Sequence, residues 1–172
     1  RLNMQALPNS LRWGLDNRIH GVTSSNGAVL TRPGDKSFEP LRLNGRDFSF
    51  DPRKLDLRPE NGGGQHGASF DDQGRRYVSS NSNHLQTIVF EARYTANPRY
   101  AMPNPRVGIA ADGSAAPVFR ISPDEPWRIV RTRWRVAGKV RGPVEGGGRV
   151  SGYFTAATGV TIYRGNTFGP EY

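Results

Sequence analysis

The stretch at residues 11–26, LRWGLDNRIHGVTSSN, has a second, looser copy later in the chain. Moving it along by 57 positions puts Trp13 on Phe70, Asn17 on Gly74, Arg18 on Arg75, His20 on Tyr77 and Thr23 on Ser80. Each copy has an apolar strand start, a turn centred on Asp16-Asn17 or Gln73-Gly74, and a second strand that runs into Ser and Asn. Asn and Gly supply the positive φ that a tight hairpin turn requires. A hairpin unit repeating at this spacing predicts blades of a β-propeller or a related repeat array. Two unrelated hairpins within one all-β domain are the alternative.

The chain's 172 residues suffice for one ordinary domain. A hydrophobic share of 35%, with 21 Gly and 13 Pro, favours short strands and many turns over helices. An aromatic share of 10% is too high for a disordered chain. No apolar run is long enough to cross a membrane as a helix. The first residue is Arg1 and not Met, so a processed chain or a piece of something longer is expected. The absence of cysteine excludes disulfides, thiolate metal sites and a haem attached through C-x-x-C-H in this segment.

The net charge is +9. Its densest stretch is 127–141, WRIVRTRWRVAGKVR, where Arg131, Arg133 and Arg135 alternate with Thr132, Trp134 and Val136. Alternation at period two predicts a strand over 129–136 with one charged face. An anionic ligand or a negatively charged partner accounts for these arginines at least as well as nucleic acid, which is not the expected partner.

Elsewhere, RDFSFDPRKLDL at 46–57 predicts two short strands around the turn pair Asp51-Pro52. LQTIVFEARY at 85–94 fits a strand or one helical turn, and its β-branched centre favours the strand. A Pro-rich excursion covers 95–117, with Pro98, Pro103, Pro105 and Pro117, and loops of such length are usually functional or covering segments. Further strands are expected at 118–121, 152–158 and 160–164.

Two loops share a form. GGGQHG at 62–67 and EGGGR at 145–149 each put three glycines before a polar side chain. Glycine runs let backbone approach a ligand or a neighbouring strand closely, so both a packing role and a binding role fit. Neither loop carries the Gly-Lys-Ser/Thr of a phosphate-binding P-loop. In the functional reading Gln65, His66 and Arg149 line a central channel, within reach of one another on a polar concave surface. His66 is the candidate general base, since a neutral imidazole can take a proton from a hydroxyl. Gln65 and Arg149 are the candidate cofactor contacts, Arg149 for an anionic group. His20 reads as a packed strand residue. His84 follows a loop of amide and hydroxyl groups in which Asn81 and Asn83 are weak candidates for a Ca²⁺ site.

The runs NSLRWGLDNRIHG, GRDFSFDP, GGGQHGASFDDQGRRYVSSNSNH, VFRISPDEPWRIVRTRWRVAGKV and EGGGRVSGYFTAATGVTIYRG resemble the membrane-bound dehydrogenase family. These are bacterial exported proteins whose propeller is similar to the glucose/sorbosone dehydrogenases. The resemblance covers nearly the whole chain. It implies an all-β fold, namely a six-bladed β-propeller of which these residues supply about half. It also implies an exported location, periplasmic or membrane-associated, and a cytochrome c domain outside this segment. The relatives with known chemistry are quinoproteins that oxidise a sugar or alcohol with pyrroloquinoline quinone (PQQ) and Ca²⁺, a histidine taking the hydroxyl proton. GGGQHGASF looks like the strand that meets the quinone there, with Gln65 and Gly67 near the matching positions. The rival expectation is a non-catalytic β-propeller that binds carbohydrate or a partner protein.

Overall fold

Two residues with positive φ shape the first hairpin. In the computed structural model, which describes residues 3–95 and 99–169, Ser10 (φ 58°) lies at a bulge in β1 (Asn9–Trp13). Asn17 (φ 59°) closes the turn into β2 (Ile19–Val22). In that turn the Asn17 N–H donates to the Gly14 carbonyl at 3.3 Å and the Gly14 N–H to the Arg18 carbonyl at 2.9 Å. The chain then makes a small ribbon of β3 (Val29–Leu30) and β4 (Leu41–Arg42). It returns as β5 (Asp47–Asp51) and β6 (Asp56–Glu60), the two strands expected around Asp51-Pro52.

The same hairpin recurs at the offset read from the sequence. β7 (His66–Phe70) and β8 (Arg76–Ser80) begin 57 residues after β1 and β2, from Asn9 to His66 and from Ile19 to Arg76. The positive-φ positions coincide as well, with Gly67 (φ 59°) for Ser10 and Gly74 (φ 78°) for Asn17. The turn bonds repeat too: Gly74 N–H to the Asp71 carbonyl, 3.1 Å, and Asp71 N–H to the Arg75 carbonyl, 3.2 Å. β9 (Asn83–Ile88) and β10 (Arg106–Gly108) complete a second sheet.

The protein is therefore mostly β, with two four-stranded antiparallel meanders, β1-β2-β5-β6 and β7-β8-β9-β10, and the ribbon; among the described residues no sheet closes on itself. β7 packs against β1 and β2, and the small core between the sheets holds Val22, Ala68 and Val78, with Ile88 against them.

The C-terminal third departs from expectation. The strand expected at 129–136 is a helix, α1 (Pro126–Val136). Its sequence carries a second period that outweighs the alternation: Trp127, Val130, Arg131 and Trp134 fall at i, i+3, i+4 and i+7. Pro126 stands at the start of the helix, where its missing N–H costs nothing. At the far end Gly138 (φ 67°) donates to the Arg135 carbonyl, 3.0 Å, and Lys139 to that of Trp134, 2.8 Å. That pair of bonds is a Schellman stop. The strands expected at 118–121, 152–158 and 160–164 are irregular chain, with one isolated bridge nearby, Pro117 to Tyr153. The strand expected over 85–94 ends with Ile88, and a 3-10 turn, Ala92–Thr95, follows. The 95–117 excursion contributes β10; Pro98 lies outside the described residues.

Candidate functional site

The first glycine run wraps a buried carboxylate. Asp47, at the start of β5, has no solvent exposure. Its Oδ1 accepts the N–H groups of Gly63 (2.9 Å) and Gly64 (3.1 Å). A Cβ on Gly62 would collide with Oδ2, one on Gly63 would meet the Gly45 carbonyl at 2.8 Å, and one on Gly64 would meet Val78 at 2.9 Å. All three glycines are thus needed where they stand, by close approach of side chain or backbone. Arg76, 8% exposed, reaches in from β8 to 3.6 Å from Oδ2 and donates to the Asn61 carbonyl. Arg106 donates to the Gly63 carbonyl, and Ser24 N–H to that of Gly64 at 3.1 Å. Burial pushes the Asp47 carboxyl up to about 6, against the pull of Arg76 and of the Gly63 and Gly64 N–H groups.

This hub sets the start of β7, where the residues singled out from the sequence lie. The Gln65 N–H donates to the Ser79 carbonyl at 3.1 Å, and Gln65 Oε1 accepts the Asn81 N–H at 2.8 Å. Asn81 Nδ2 donates to Glu145 Oε1 (3.0 Å), while Asn81 Oδ1 accepts the Ala156 N–H (3.0 Å) and its carbonyl the Ala157 N–H (3.0 Å). Gln65, Asn81 and Glu145 therefore form one line that ties the second glycine loop and the 156–157 chain to the hairpin. Asn83 starts β9 opposite Ser80, and its amide lies against Gly108. His66 is half-buried; its carbonyl accepts the Ser79 hydroxyl at 3.1 Å, and its ring takes no hydrogen bond among the described residues. Arg149 Nε donates to the Gly146 carbonyl (2.8 Å), its Nη2 donates to that of Ala115 (3.2 Å), and its guanidinium stands 5.6 Å from the Tyr153 ring centre. Hydrogen bonds join Gln65 to Asn81 and Asn81 to Glu145; none runs from Arg149 to Gln65 or His66.

A cleft of about 480 Å³ opens elsewhere, between the two hairpin turns, and none of Gln65, His66 or Arg149 lines it. Asp16, His20, Glu60, Phe70, Arg76 and Tyr94 are among its walls. His20 Nε2 is 3.1 Å from Asp16, and its ring meets Phe70 edge-on at 5.2 Å. Sequence reasoning singled out neither Asp47 nor Arg76. The signal for Asp47 was three glycines with no phosphate-binding motif behind them, which calls for an anion supplied by the protein itself.

A model of the family described as a domain of unknown function, DUF7133, matches residues 1–172. The chain belongs to the DUF7133 family. No curated protein and no solved structure matches it. In this DUF7133 chain three of the residues expected to meet Ca²⁺ or a quinone, Gln65, Asn81 and Arg149, make hydrogen bonds within the chain. Both ends of the Asn81 amide and the Gln65 carbonyl oxygen are spent on bonds within the chain. Two Arg149 nitrogens are bonded to backbone carbonyls. Among the described residues no group of three or more His, Asp or Glu side chains is placed to hold a metal ion. No helix among them is long and apolar enough to cross a membrane.

Proposed function

We propose that this chain supplies adjacent blades of a β-propeller that binds a sugar or alcohol and oxidises it. Electrons would pass toward a haem domain outside this segment, in an exported, periplasmic or membrane-associated protein. Support for the propeller comes from the two four-stranded meanders, related by one sequence offset and packed first strand to first strand. The observation that carries the catalytic reading is His66. It stands at the start of β7, held by the Asp47 hub, and its ring is free of the hydrogen bonds that occupy Gln65, Asn81 and Arg149. As a base its imidazole would take the hydroxyl proton of the substrate. The hydride from the carbinol carbon, carrying the two electrons, would pass to a quinone-class acceptor held by residues outside those described.

The second reading is a propeller that binds carbohydrate or a partner without chemistry. The engagement of Gln65, Asn81 and Arg149 in bonds within the chain favours it, because polar atoms bonded there are not free to hold a cofactor. One experiment separates the two. In the intact protein, His66→Ala should abolish sugar or alcohol oxidation while ligand binding falls by less than about tenfold, a loss of about 1.4 kcal/mol. Unchanged turnover would remove His66 as base. Binding without turnover in the parent protein would leave the non-catalytic reading.

A further inference from the structure

α1 turns an apolar stripe outward. Trp127, Val130 and Trp134 are 55%, 43% and 49% exposed, while Ile129 and Thr132 on the other side of the helix are half-buried. The stripe, with Pro126 and Val140, lines a shallow depression that Arg131 borders. From Pro126 to Val144 the chain carries Arg128, Arg131, Arg133, Arg135, Lys139 and Arg141 and no acidic residue. Those six positive charges are two thirds of the net +9. Among the described residues, Arg128 alone of these has an acidic partner, Glu125 at 2.9 Å. Arg131 stacks over the Trp127 ring at 4.6 Å, so it travels with the stripe. Among the named strands and helices, the main contact of α1 is the 3-10 turn Gly146–Gly148 of the second glycine loop.

We propose that this face of α1 docks on an anionic lipid surface, lying in the plane of the membrane. The charge decides for an anionic partner. The aliphatic share of the stripe decides for lipid over nucleic acid: bases stack on aromatic rings, but Val130 and Val140 beside the tryptophans offer no ring to stack on and suit acyl chains. Trp rings settle at the boundary between headgroups and acyl chains, and arginines beside them reach lipid phosphates. Eleven residues are too few to span a bilayer and are the right scale to lie on one. The inference is independent of the proposed oxidation.

Sedimentation with vesicles of phosphatidylglycerol and phosphatidylcholine tests it on the full chain, with Trp fluorescence as the second readout. Binding to anionic vesicles should exceed that to pure phosphatidylcholine by at least about tenfold and weaken with salt. Trp emission should shift to the blue on binding in Trp13→Phe, and far less in the double variant Trp127→Phe/Trp134→Phe. Arg131→Gln/Arg133→Gln should lower vesicle affinity by about tenfold or more with the far-UV circular dichroism unchanged. Equal binding to both vesicle types overturns the proposal. So does an emission shift that survives loss of Trp127 and Trp134, or DNA binding at least as tight as binding to anionic vesicles.

Discussion

The two hairpins, β1-β2 and β7-β8, share a backbone and little else. Ser10 and Gly67 hold the same positive φ, as do Asn17 and Gly74, and the turn bonds are the same. The side chains have parted. Arg18 is buried, donating from Nε to Ser49 Oγ (2.8 Å) and from Nη2 to Asp56 Oδ1 (2.8 Å). Arg75, its counterpart, has a side chain 64% exposed and pairs with Asp71 in its own turn (2.5 Å). The third strands differ in the same way: β5 starts with the buried Asp47 and β9 with the half-buried Asn83. A repeat preserves what the backbone needs, and each side chain answers to the particular surroundings of its copy.

Asp47 gives the largest expected break between the copies. Asp47→Ala orphans two glycine N–H groups and leaves Arg76 a buried charge without a counter-ion, which costs about 3 kcal/mol or more. Asn83→Ala, at the matching strand start, should cost less than about 1 kcal/mol. Urea unfolding of the two variants checks this, and equal losses would end the distinction.

The pH dependence sharpens the same contrast. The folded pKa of Asp47, about 6, lies above its unfolded value of 3.8, so the native state holds the proton more tightly. Its contribution is full below pH 3.8 and is lost as pH rises through 6, by up to about 3 kcal/mol. Asp56 acts oppositely: the hydrogen bonds from Arg18 and then Arg58 lower it to about 2, so its contribution is present above pH 3.8 and lost as pH falls through 2. Stability governed by these two groups peaks near pH 4. Asp47→Asn should flatten the decline between pH 4 and 6, as read by thermal midpoints across that range.

Arg18→Ala should cost about 2 kcal/mol by leaving the buried Ser49 and its neighbours short of partners, against less than about 1 kcal/mol for Arg75→Ala. Smaller still is the pair at the bulge. Gly67→Ala strains a positive φ, and its Cβ would collide with the backbone of Gly159, for about 1–2 kcal/mol. Ser10→Gly removes strain at the same φ and should change stability by less than about 1 kcal/mol. A cost at Gly67 no larger than at Ser10 would show that the 156–162 chain does not rest on β7.

Much of the β-rich half was legible because hairpins announce themselves locally. Asn17, Gly74 and Asp51-Pro52 mark turns through the φ values that only certain residues accept. The helix was legible too, in Pro126, Gly138 and the i, i+3, i+4, i+7 spacing, but the charge alternation at 131–136 pointed to a strand. In a stretch where both periods are present, the end signals discriminate better than the alternation. The candidate site was less legible. Gln65, Asn81 and Arg149 looked available in the sequence, yet side-chain groups of each are bonded within the chain, as Asn81 Oδ1 is by Ala156, 75 positions away.

The sequence by itself determined the turn positions at Asn17 and Gly74, the offset between the hairpins and the lack of thiol chemistry, since each depends on residue identity and near neighbours. Only the tertiary structure decided that the first glycine run encloses Asp47, that Arg18 is buried while Arg75 is not, and that α1 faces outward with its tryptophans. Those outcomes depend on which distant surfaces meet, and hydrogen bonding and desolvation act on whatever group the packing places there.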